Sequence, residues 1–68
     1  MLKIHDFTKQ EIDYFIRECN FMPEELKVFL LRSKNKSNTE IALETHVSES
    51  KVSKTVAKIK KKVFKVIV

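Results

Sequence analysis

The sequence predicts an all-α fold, a small bundle of about four helices ending in one long helix. Three observations lead there. The 68 residues contain no glycine and one proline, Pro23, so hairpin loops of the Asn-Gly or Asp-Gly type are absent and turns with positive φ are expected to be rare. Lysine, glutamate, leucine and isoleucine are abundant, which favours helices joined by short connections. Apolar residues also recur at helical spacing in successive segments, each opened by a capping signal.

The first segment opens on Thr8-Lys9-Gln10-Glu11, a capping box in which each side chain satisfies an orphan backbone N–H. Ile12, Phe15, Ile16 and Cys19 then mark a helix from about Lys9 to Cys19, with Phe7 placed to staple onto the same face. Pro23 starts a second helix at its N1 position, where the missing N–H costs nothing, and Glu24 and Glu25 suit that positive end. Leu26, Phe29 and Leu30 are its expected buried stripe, flanked by Val28 and Leu31, and the helix runs to about Ser33. Residues 34–38 form a polar loop. Ser37-Asn38-Thr39-Glu40 is a second capping box, opening a short helix with Ile41, Ala42 and Thr45. His46-Val47-Ser48 breaks it, and Ser48 caps a last helix that begins at Glu49 and reaches Val66 or beyond.

A chain of this length holds one domain, residues 1–68, with a modest core. Cys19 is the single cysteine, so no intramolecular disulfide forms, and no Cys/His cluster has zinc-site spacing. Metal and cofactor are therefore not expected. The start lacks the apolar run of a signal peptide and no stretch suits a bilayer span, which predicts a cytoplasmic protein without membrane contact.

Charge is unevenly distributed. Residues 1–48 carry seven basic and eight acidic side chains, a net −1; residues 49–68 carry seven lysines against Glu49 alone, a net +6, giving the chain's +5. All of the excess sits on the last helix, as a footprint for a polyanion would. At about 100° per residue, Val52, Val56, Ile59, Val63 and Val66 fall in one narrow sector. Lys51, Lys54, Lys58, Lys61, Lys62 and Lys65 fall opposite, and Lys60 stands apart. One face packs; the other faces water or a partner.

Residues 39–53 have the apolar skeleton of a helix-turn-helix. Ile41 and Ala42 face the core, Ala42 is small where two helices cross, Val47 plugs the turn and Val52 anchors the second helix. The ordered segments Glu25-Leu-Lys-Val-Phe-Leu-Leu-Arg, Ser37-Asn-Thr-Glu-Ile-Ala, Val47-Ser-Glu-Ser-Lys-Val and Ile59-Lys-Lys-Lys-Val resemble both the LuxR/GerE-type output domain and region four of bacterial sigma factors. The resemblance covers residues 22–63. It implies that the last helix is a recognition helix lying in the DNA major groove, with Ser50, Lys51, Ser53, Lys54 and Lys58 facing bases and phosphates. Ser48 at the cap and Lys61 further along complete that face, while Asn38 and Thr39 at the preceding helix start meet a phosphate. His46 stands where many such turns have glycine, and Ser53 where LuxR-type domains often have a basic residue. The extra N-terminal helix suits the sigma layout better.

Lysine serves phosphate contact as a point charge, whereas base reading favours Arg, Asn and Gln, none of which occurs in residues 49–68. Non-specific affinity for double-stranded DNA is thus easier to expect than sequence selectivity. No Ser/His/Asp arrangement, Gly-rich phosphate loop or metal triad is present, so the chain does not read as an enzyme or a binder of small molecules. The five phenylalanines read as core. An alternative function is a protein-interaction module docking on RNA polymerase, a sigma-like partner or another regulator. The apolar end, Val63 to Val68, also suits homodimer formation through the C-terminal helix.

Overall fold

A computed structural model describes residues 3–67 as an all-helical bundle, with no strand among the described residues. A short 3₁₀ turn at Ile4–Asp6 precedes α1 (Lys9–Glu18), α2 (Pro23–Ser33), α3 (Asn38–Thr45) and α4 (Glu49–Ile67). α4 is the spine against which α1, α2 and α3 pack; α2 also packs on α3 and on the 3₁₀ turn.

Local chemistry accounts for each helix start. Thr8 Oγ1 accepts the Glu11 N–H at 3.1 Å while Glu11 Oε1 accepts the Thr8 N–H at 2.8 Å, so two orphan donors are satisfied reciprocally. Ser37 and Glu40 repeat the arrangement at 3.2 and 3.0 Å. The Ser37 N–H, and then its hydroxyl, hold the Glu40 carboxyl below the usual carboxylate range. At α2, Met22 has no capping side chain, but Glu25 Oε1 accepts its N–H at 2.9 Å. Ser48 Oγ accepts the Lys51 N–H at 3.2 Å and caps α4.

The helix ends correct one expectation. Positive φ is not rare in this glycine-free chain: Asn20, Asn35 and His46 take φ of 51°, 64° and 59°, and each lies just beyond the end of a helix. Asparagine and histidine tolerate the left-handed region better than branched residues do, and here they occupy the positions where helices commonly use glycine.

The core is built from Ile4, Phe15, Cys19, Val28, Phe29, Ile41, Val52, Val56, Ile59 and Val63. Burial raises the Cys19 thiol above its ordinary value. Phe7 packs on Phe15 and Phe21 on Phe29, with ring centroids 4.9 and 4.8 Å apart. Two core assignments need correction. In α2, Leu30 is 39% exposed and Val28 only 1%. The row facing the bundle is Glu25, Val28, Phe29 and Arg32; two of its four positions are charged, so the apolar pattern pulls toward Leu26 and Leu30. Phe64 is 63% exposed, because it shares a side of α4 with exposed Ser53 and Ala57, off the row Val52, Val56, Ile59 and Val63. The 3₁₀ turn, which lies ahead of the first capping signal in the sequence, places Ile4 in the core at 2% exposure.

Candidate nucleic-acid interface

The connection between α3 and α4 is three residues long, His46–Ser48. His46 in the left-handed region reverses the chain, and both its own N–H and that of Val47 return to the Ala42 carbonyl. Two side-chain bonds then tie the start of α3 to α4: Asn38 Nδ2 donates to Ser53 Oγ at 3.2 Å, and Thr39 Oγ1 donates to Glu49 Oε1 at 3.0 Å. The angle between the helices is therefore fixed by polar contacts as well as by the buried Ile41 and Val52.

Ser48, Ser50, Lys51, Lys54 and Lys58 line one open groove of about 640 Å³, facing Met22, Pro23, Glu24 and Glu25 at the start of α2, with Thr55 between. Ser53 and Lys61 lie outside that groove but are exposed on the same helix, as are Ser50, Lys54, Ala57 and Lys58. This exposed side of α4 runs three turns without an acid. Asn38 is half-buried and its amide is engaged with Ser53, so those two residues brace α3 against α4. Asn38 Oδ1 is buried without a hydrogen-bond partner among the described residues.

The lysine face is less unopposed than its sequence suggests. Lys51 Nζ lies 3.2 Å from Glu24 Oε1, and Lys62 Nζ lies 2.5 Å from Glu25 Oε1. Lys62 therefore belongs to the interior side of α4 and not to the outward stripe. Its hydrogen bond, followed by that of the Met22 N–H, holds the Glu25 carboxyl below the usual range despite burial. The charge on Lys58 acts in the same direction. Among the described residues, Lys54, Lys58, Lys61 and Lys65 form no ion pair. Charge counting along the chain missed these pairings because the acids come from α2, 27 and 37 positions away from the lysines they meet.

Among the described residues no three His, Cys, Asp or Glu side chains gather as a metal site would require, and no helix is long and apolar enough to cross a membrane. The chain matches no family model, no curated protein and no solved structure.

Proposed function

We propose that this chain binds duplex DNA as a helix-turn-helix, with α4 as the recognition helix, and regulates transcription. One observation carries the reading: Ser50, Lys54, Lys58 and Lys61 stand together on an exposed, acid-free side of a long helix whose start is braced against α3. Lys54, Lys58 and Lys61 supply most of the phosphate attraction, Lys51 a smaller part because Glu24 already holds it, and Ser50 is the nearest base-edge contact. The N-terminal end of α3, with Thr39, meets the backbone.

Fluorescence anisotropy with random-sequence duplex across a salt series tests this. A log–log slope totalling about −3 to −6, at roughly −0.9 per phosphate contacted, is the expected result. Absence of binding at low salt overturns it.

A second reading, a protein-interaction module docking on RNA polymerase or on another regulator, is favoured by Phe64 and Ile67. These neighbours on the last turns of α4 are 63% and 54% exposed, more apolar surface than a solvated helix end needs. Pairing with a twin subunit uses the same patch. Sedimentation of the wild type against Phe64→Glu separates the cases, since a dimer dissociates on that change and a monomer is indifferent to it.

A further inference from the structure

A second basic site lies away from the groove. Lys60, the lysine that helical periodicity sets apart from the other six of α4, lines an open pocket of about 410 Å³ together with Lys3, His5, Arg32, Lys36 and Ser37. The cations come from separate parts of the chain: the segment around the 3₁₀ turn, the end of α2 with its following loop, and the middle of α4. Arg32, Lys36 and Lys60 are each half-buried, and no acid lines the pocket. Two carboxylates touch the lining without forming part of it: Asp6 Oδ1 lies 3.3 Å from His5 Nε2, and Glu40 Oε1 accepts the Ser37 N–H at 3.0 Å, which leaves Arg32, Lys36 and Lys60 without an acidic partner among the described residues.

Like charges gathered in a concave, partly desolvated place repel unless an anion joins them. The donors are also partly organised. Arg32 Nη1 donates to the Lys36 carbonyl at 3.0 Å, which fixes the guanidinium and leaves further N–H groups of its fork to bond an anion. Ser37 at the rim is committed to its capping box, its Oγ accepting the Glu40 N–H, so the anion's donors are the three cations. We propose that this pocket binds a phosphate group, supplied either by a DNA backbone or by a phosphorylated small molecule. Arg32 and Lys60 are its principal ligands. Only the first source rests on the DNA reading.

The test is amide-resolved NMR of the full chain, titrated with inorganic pyrophosphate at ionic strength held constant by chloride, and separately with a short duplex. Saturable shifts at the amides of Asn35, Lys36, Ser37 and Lys60 are expected. Lys60→Gln should weaken the binding about tenfold, the loss of one charged hydrogen bond. Arg32→Gln should do at least as much, but Arg32 also ties the α2–α3 connection, so Lys60→Gln is the decisive variant. Shifts from the duplex that Lys60→Gln diminishes identify a backbone phosphate. Shifts from pyrophosphate that the duplex does not reproduce identify a small phosphorylated ligand. Pyrophosphate binding that survives Lys54→Ala and Lys58→Ala, whatever happens to DNA, keeps the pocket separate from the recognition face. No saturable shift with either titrant, or shifts unchanged in Lys60→Gln, overturns the proposal.

Discussion

Glu25 Oε1 accepts both the Lys62 ammonium at 2.5 Å and the Met22 N–H at 2.9 Å. One carboxylate oxygen thus fixes the start of α2 and fastens it to α4, 37 positions away in sequence. Removing one partner of a largely buried pair leaves the other charge poorly solvated. Glu25→Gln and Lys62→Met should each lower stability by about 1.5–3 kcal/mol, the range for hydrogen bonds to charged groups. Thermal melts of both variants and of the double variant check this. A double variant no worse than either single one assigns the loss to the pair.

The same carboxylate sets a pH dependence. Its folded value is depressed, so its contribution is fully present above the unfolded value of about 4.3 and is lost as pH falls through the lower folded value. Denaturation followed from about pH 6 to about pH 3 should show stability falling with acidification, and the slope should be shallower in Glu25→Gln. Glu40, capped at Ser37, titrates in the same direction.

If the proposed DNA reading holds, Lys54→Ala and Lys58→Ala should each reduce the salt slope by about 0.9 without altering the melt. Lys51→Ala should reduce it less, and Glu24→Gln, which frees Lys51 from its 3.2 Å partner, should raise affinity. Anisotropy titrations of the four variants decide the ranking. Equal losses from Lys51→Ala and Lys54→Ala would show that Glu24 does not compete with the polyanion.

His46 holds the turn with φ 59° and ψ 36°. A β-branched side chain fits that region poorly, so His46→Val should cost about 1–2 kcal/mol, whereas His46→Asn should melt like the wild type. For a domain of this size the loss reads as a fall in Tm of roughly 4–16 °C.

Val52 is fully buried where α4 meets the rest of the bundle. Val52→Asp places an unpaired carboxylate there, a cost of several kcal/mol, against a total stability of about 3–10 kcal/mol for a chain of this length. Loss of the helical circular-dichroism signal is the expected outcome. A native melt would contradict the burial of position 52 against the rest of the bundle.

Capping chemistry explains why the helices were legible. Thr8, Pro23, Ser37 and Ser48 act within one turn of themselves, so their effect is written locally, and the observed helices begin at Lys9, Pro23, Asn38 and Glu49 as those residues dictate. The buried side of α2 was harder to read because Glu25 and Arg32 occupy half of its inward row, and each is accommodated by a partner from elsewhere: Lys62 for one, the Lys36 carbonyl for the other. The candidate interface was legible as a helix face but not as a balance of charges. Which lysines are already engaged depends on where the start of α2 comes to rest, a tertiary fact that no local spacing encodes. Residue type alone points Phe64 to the core, whereas its angular position on α4 sets it off the buried row.

The left-handed asparagines and histidine have a consequence for the unfolded chain. Glycine is the residue with the most backbone freedom to lose on folding, and this sequence uses none. Its denatured ensemble is accordingly narrower than that of a chain with glycine at each helix end, by about 0.4–1 kcal/mol of free energy per such position. Asn20, Asn35 and His46 concede some local comfort in the native turns and reduce the disorder that folding must overcome. A ten-residue core thereby starts from a smaller entropic deficit.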